Sequence, residues 1–224
     1  MSQAREAAAA AAVELVDDGM TVGLGSGRAV WRVVELLGER GFRGPAVVAS
    51  SLTDERAREA GIDVVQLDGA LELDLALDGA DEVDPQLRLI KGGGGALLRE
   101  KIVIAAARRF VVVAETPKKV ERLGEGFRLP VEVVRFAWQD TRRRLGGLLP
   151  DADLRAVEDT PFVTDEGHYI LDCAVPDGAD VDELGLALKG VPGVVEHGLF
   201  IGMAERALLG TPDGGVEELT ARSS

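Results

Sequence analysis

The chain has 224 residues, 46% of them hydrophobic but only 4% aromatic, so it can bury a full core built mainly from Val, Leu, Ile and Ala. A formal net charge of −14 excludes a general nucleic-acid binder, which needs clustered Lys and Arg, while leaving room for one small phosphorylated ligand held by local cations and amide N–H groups. The single cysteine, Cys173, excludes an intrachain disulfide, and no stretch is long and apolar enough to span a membrane, so the expectation is a cytoplasmic protein with no membrane partner.

In chain order, a helix is expected over Ser2 to Asp18, because the alanine-rich start lacks the Leu-rich segment of a signal peptide. A short strand, Thr21 to Gly25, leads into a helix from Arg28 to Gly38, and a second strand lies at Ala46 to Ala49. Thr53 reads as the N-cap of a third helix that Gly61 closes, followed by a strand at Asp63 to Leu67. Leu73 to Leu77 is a strand ending at Asp78, a glycine-rich loop opens a helix from Ala96 to Ala107, and Phe110 to Ala114 is a continuous apolar strand of the buried, parallel kind. The rhythm predicts an α/β protein, with an open Rossmann-like, mostly parallel sheet and helices on both faces. Ligands bind such sheets outside the carboxyl ends of the strands, so the loops at Gly25, Ser50, Asp78 and Ala114 should share one mouth.

The texture changes after about Phe127. A strand at Val131 to Val134 precedes a basic helix, Ala137 to Leu149, with Arg142, Arg143 and Arg144 on a solvated or interface face. Short strands are expected at Leu154 to Val157, Phe162 to Thr164 and Tyr169 to Asp172, the last two joined by the turn signal Asp165-Glu166-Gly167. A helix from Val181 to Lys189 and a strand within Gly193 to Phe200 complete a smaller α+β domain, and Arg206 to Gly210 returns to the first. The expected division is 1–127 with 200–224 for the α/β domain and 128–199 for the smaller one, a possible oligomer interface.

Three segments carry chemistry. Gly23-Leu24-Gly25-Ser26-Gly27 joins a strand to a helix, where free N–H groups favour a phosphate. It is not a dinucleotide fingerprint, since Arg28 stands where the third glycine belongs, nor a Walker A loop. A phosphate or sugar loop and a plain strand-to-helix turn both remain open. Asp78-Gly79-Ala80-Asp81-Glu82 crowds three carboxylates at a strand end, where repulsion raises at least one pKa unless a cation such as Lys91 intervenes. An acidic turn followed by a flexible loop at Gly92 to Gly95 is the plainer alternative. Glu100, in the first turn of the next helix, reads on its own as a dipole-compensating surface acid.

These segments, with Ile90-Lys91-Gly92-Gly93-Gly94-Gly95-Ala96 running into Arg99-Glu100-Lys101, and with Leu129-Pro130-Val131-Glu132-Val133 and Leu209-Gly210-Thr211-Pro212-Asp213-Gly214, resemble the type A ribose-5-phosphate isomerase family over almost the full chain. The resemblance implies interconversion of ribose 5-phosphate and ribulose 5-phosphate in the non-oxidative pentose phosphate pathway, with no metal and no cofactor, in a homodimer or homotetramer. It implies Glu100 as the general base, Asp78 and Asp81 as acids for ring opening and hydroxyl binding, and Lys91 as the cation beside the developing oxyanion. Gly25, Ser26, Gly27, Arg28, Ala29, Gly92, Gly93 and Lys118 fall where the family holds substrate. Arg28 and Ala29 depart from the family's usual Ser-Thr, so two hydroxyl donors are missing and Arg28 is left to replace them or to face solvent. Arg5 stands about where the family has a lysine. His168 and His197 lack metal-ligand spacing and read as structural, as Cys173 reads as core. An amino-sugar-phosphate deaminase and a sugar-phosphate-sensing domain are the competing readings.

Overall fold

Uninterrupted apolar runs set the centre of the molecule. In the computed structural model, which describes residues 2–221, the first half runs α1 (Gln3–Val13), β1 (Val22–Leu24), α2 (Arg28–Arg40), β2 (Pro45–Val48), α3 (Ser51–Glu59), β3 (Asp63–Val64), β4 (Leu75–Asp78), β5 (Glu82–Val83), β6 (Leu89–Ile90), α4 (Leu97–Ala105) and β7 (Phe110–Glu115). It continues through β8 (Leu129–Val133), α5 (Trp138–Leu145), β9 (Ala152–Leu154), β10 (Ala156–Val157), β11 (Thr160–Pro161), β12 (Tyr169–Cys173), α6 (Val181–Lys189), β13 (Val194–His197), β14 (Leu199–Phe200), β15 (Arg206–Gly210) and β16 (Val216–Thr220).

The main sheet has the order β16-β15-β7-β4-β1-β2-β3, parallel except for β16, which runs antiparallel at one edge. Side-chain alternation gives its strands two apolar faces. Val22, Leu24, Leu75, Leu77, Val111 and Val113 face α1, α2 and α3, whereas Ala76, Val112, Ala114 and Leu209 pack with Ile104 of α4 and Phe200 of β14. The strand order reverses between β1 and β4, so the loops leaving their carboxyl ends diverge and open a crevice. A separate four-stranded antiparallel sheet, β13-β8-β12-β9, packs with α5 and α6 around Leu129, Val131, Leu145, Leu171 and Leu188.

Several elements differ from expectation. The first helix stops at Val13, because the next turn tightens to three-residue hydrogen bonds from Leu15 N–H to Ala12 O and from Val16 N–H to Val13 O. Ser50, not Thr53, caps α3; its Oγ accepts from Thr53 N–H at 3.1 Å, which makes Thr53 the third helical residue. Gly146 and Gly147 end α5 before Leu149. Leu154 to Val157 divides into two strands at Arg155, and Phe162 to Thr164 forms no strand, since the pairing moves to Thr160–Pro161. Thr164 instead gives its hydroxyl to Glu132 at 2.9 Å. No helix among the described residues is long and apolar enough to cross a membrane.

Candidate active site

The crevice at the β1/β4 reversal is a cleft of about 460 Å3. At its floor, β4 ends in Asp78, 1% exposed, whose Oδ1 accepts from Gly79 N–H at 2.7 Å and Ser26 N–H at 3.2 Å. The β1 loop can lie this close only because residue 25 is glycine. A Cβ there would fall 1.8 Å from Asp78 Cγ. Gly25 thus supports Asp78 from beneath and does not itself line the cleft.

Lys91 follows β6, and its backbone N–H is fixed to Gly198 O at 2.9 Å. Its ammonium donates to Gly79 O at 2.8 Å and lies 2.8 Å from Asp78 Oδ2 and 3.1 Å from Glu100 Oε2. All three side chains are buried. Burial disfavours the Lys91 charge, but Asp78 and Glu100 outweigh it and raise the ammonium's pKa. Burial likewise pushes Asp78 upward, against the pull of Lys91. Glu100 is raised to about 8, first by burial, then by the Asp78 charge, with Lys91 opposing both. A carboxylate poised this far up accepts and returns a proton near neutrality, whereas an ordinary one does so only in acid. The first-turn position of Glu100 therefore does not make it a surface acid.

Asp81 receives Gly93 N–H on Oδ2 at 2.8 Å, and Lys118 Nζ stands 3.9 Å from its Oδ1. Glu82, the third acid of the segment, turns away and accepts from Gly124 and Gly126 N–H, both at 2.6 Å, so of the three carboxylates only Asp81 lines the cleft, and Asp78 lies buried behind Lys91. Ser26, Gly27, Arg28, Ala29, Gly92 and Gly93 line it as well. Ser26 Oγ shares a hydrogen bond with Ser50 Oγ at 3.0 Å, tying the β1 and β2 loops together. Arg28, at the start of α2, is exposed and has no ion-pair partner among the described residues, whereas Arg5 is held by Glu115 at 2.9 Å. The wall thus offers cations at Arg5, Arg28 and Lys118 and opens over the buried acid–base cluster.

Trp31, Glu115 and Phe127 also line the cleft and were not singled out in the sequence. The signal for Trp31 was its position three residues after Arg28, on the same face of α2. Its indole N–H donates to Thr53 Oγ1 at 3.1 Å, and the Arg56 guanidinium lies 4.5 Å from the ring centroid. His168, His197 and Cys173 stand outside the lining residues. His168 Nδ1 meets Glu132 Oε1 at 2.9 Å; burial lowers His197 to about 4 and lifts the Cys173 thiol to about 12. Lys101, next to Glu100, points elsewhere and joins α4 to Glu196 Oε1, His197 O and Leu199 O at 2.7–2.9 Å.

The family described as ribose 5-phosphate isomerase A (phosphoriboisomerase A) matches residues 45–214. A protein of that name from Roseiflexus sp. (strain RS-1) is 51% identical over 219 residues, 95% of this chain and 94% of its own length. Its counterpart from Ruegeria pomeroyi is 46% identical over 228 residues, covering 97% of this chain and 87% of the relative. Among solved structures, ribose 5-phosphate isomerase A from Methanocaldococcus jannaschii superposes with a TM-score of 0.90 at 36% identity, covering 97% of this chain and 98% of the other. A D-ribose-5-phosphate isomerase in complex with phospho-erythronic acid gives 0.91 at 36% identity, covering 97% of each chain.

Proposed function

The chain belongs to the ribose 5-phosphate isomerase A family, and we propose that it performs the aldose–ketose isomerisation with Glu100 as the base. It is an isomerase that interconverts D-ribose 5-phosphate and D-ribulose 5-phosphate. The observation that carries the residue assignment is the buried cluster of Asp78, Lys91 and Glu100 at the cleft floor.

In this reading Asp78 and Asp81 hold sugar hydroxyls and assist opening of the ring. Glu100 takes the proton from C2 of the open aldose, the C2 electron pair forms the C1–C2 double bond, and the carbonyl electrons move onto O1. Lys91 stabilises the resulting enediolate, a contact of the preorganised electrostatic kind. The proton returns from Glu100 to C1, while the O2 hydroxyl proton passes to the oxygen at C1, leaving a ketone at C2. A carboxylate base so placed contributes about 10²–10⁴-fold. Arg28 and Lys118 hold the phosphate, with Ser26, Gly27 and Ala29 as the loop beneath it and Gly92 and Gly93 beside the reacting end. Binding the remote phosphate fixes the reacting carbons against Glu100.

The proposal includes a cytoplasmic location, supported by the lone cysteine. It also takes residues 1–127 with 200–224 and residues 128–199 as two units, supported by the separate seven-stranded and four-stranded sheets. Assembly into a homodimer or homotetramer partly through the second unit is supported by Phe136 and Leu186, which lie 89% and 79% exposed there. Sedimentation of the purified protein tests the assembly; a monomer at all concentrations would reject it. The function is tested by incubating EDTA-treated protein with ribose 5-phosphate and following ketose appearance, and absence of ketose would overturn it.

A further inference from the structure

Arg155 lies between β9 and β10, outside the cleft lining, yet its guanidinium makes four hydrogen bonds. Nε and Nη2 hold the two carboxylate oxygens of Asp172 on β12, with Nε 2.9 Å from Oδ2. Nη1 donates to Gly92 O at 2.8 Å and to Gly93 O at 3.2 Å. The side chain is 13% exposed.

These two carbonyls belong to peptide planes whose other edges face the active site. The peptide bonds among the described residues are trans, so the oxygen and the N–H of one plane point in opposite directions. The Gly92–Gly93 plane therefore sends its oxygen to Arg155 and its N–H to Asp81 Oδ2 at 2.8 Å. The Gly93–Gly94 plane repeats the arrangement. Its oxygen faces Arg155, and the N–H of Gly94 is turned away from it at a residue that lines the cleft, with no acceptor among the described residues. The Phe162 ring completes the hold. It lies 5.9 Å from the Arg155 guanidinium carbon, and a Cβ on Gly95 would come within 2.4 Å of Phe162 Cζ.

A run of four glycines has more backbone freedom than any other tetrapeptide, and the loop's own hydrogen bond, from Gly95 N–H to Gly92 O at 3.0 Å, holds the Gly92 carbonyl but leaves the Gly93 carbonyl to Arg155. A flipped plane would aim a carbonyl oxygen, not an N–H, at the place where negative charge develops. A planar guanidinium with rigid donors, itself clamped by a carboxylate, suits the task better than a flexible ammonium. We propose that Arg155 is a positioning residue for the isomerase: it fixes the Gly92–Gly93 and Gly93–Gly94 planes so that N–H groups face Asp81 and the substrate oxygens. The proposal rests on the isomerase reading of the cleft, and it ties turnover to a side chain that follows the edge strand β9 of the four-stranded sheet.

The test compares wild type, Arg155→Ala and Glu100→Gln by steady-state kinetics with ribose 5-phosphate, by thermal melting, and by hydrogen exchange of peptides covering residues 92–95. Arg155→Ala is expected to lower kcat by about 10–100-fold, as small misplacements near the reacting atoms do, while KM changes by less than about threefold. Exchange at 92–95 should rise, and added guanidinium ion should restore kcat several-fold in Arg155→Ala but not in Glu100→Gln. Unchanged kcat, or a loss that follows a lowered Tm with no guanidinium rescue and no local rise in exchange, would overturn the proposal. An inactive wild type would count against the isomerase reading alone, and the exchange comparison would still decide the role of Arg155.

Discussion

Asp78 and Glu100 share one buried cation: Lys91 Nζ stands 2.8 Å from the first carboxylate and 3.1 Å from the second. Two acids and one ammonium in a dry pocket cannot all be charged without excess negative charge, so one proton is held loosely within the cluster. Burial pushes both carboxyls upward, Glu100 to about 8, and the proton belongs to the pair.

Glu100→Gln should fold, since the amide replaces a buried carboxylate of the same shape. It should lose about 10²–10⁴ in kcat. Ketose formation alongside near-UV circular dichroism checks both parts, and near-normal turnover would reject Glu100 as the base.

The raised pKa fixes the sign of the pH dependence. The base must be ionised in the free enzyme, so kcat/KM should climb about tenfold per pH unit below about 8 and level off above it. Asp78→Asn removes a charge that raises Glu100, so this limb should move to lower pH even as the activity falls. A limb that stays in place would show that the two acids are not coupled.

Stability runs with the opposite sign. The folded pKa of Glu100 lies above its ordinary 4.5, so its stabilising contribution is complete below about 4.5 and is lost as pH rises through about 8. Glu100→Gln should therefore raise Tm more at alkaline pH than at mildly acidic pH, by about 2–4 °C for each kcal/mol relieved. Melting curves at pH of about 5 and 9 decide this; an equal shift at both would contradict it.

Arg28→Ala should raise KM for ribose 5-phosphate by about tenfold or more, the loss of one charge-assisted contact, with a smaller change in kcat. Added salt should narrow the gap between variant and wild type, because screening weakens an exposed cation. An unchanged KM would make Arg28 a bystander.

Gly25→Ala should disturb the site from below. The new methyl cannot coexist with the Asp78 carboxyl 1.8 Å away, so kcat should fall by at least about tenfold and Tm should drop. Wild-type kinetics in this variant would mean that the floor is more pliant than its packing implies.

The parallel sheet was legible because runs such as Phe110 to Ala114 have one reading, and the cleft because strand ends and glycine loops coincide there. The edge strand β16 was not: Val216-Glu217-Glu218-Leu219-Thr220 carries two acids and is half exposed, so its composition resembles a loop. The two-residue strands β5 and β6 were too short for any periodicity to reveal. In the site, residue type marked Asp78, Asp81 and Lys91, but the value of Glu100 depended on burial, which a first-turn position does not disclose. Glu82 misled in the opposite sense, since strand alternation carries it to the far side. Arg155 gave no signal, because its partners are backbone carbonyls some sixty positions earlier in the chain.

The place of β15 between β7 and β16 has a consequence for how the molecule is made. Arg206 pairs with Val111, so during synthesis β7 emerges long before the strand that covers its free side. Until then its valines present an unpaired margin on which another nascent chain could dock. The late arrival of β15 makes closure of the sheet a slow, long-range event, and damage to this strand should appear as aggregation during refolding before it appears as altered chemistry.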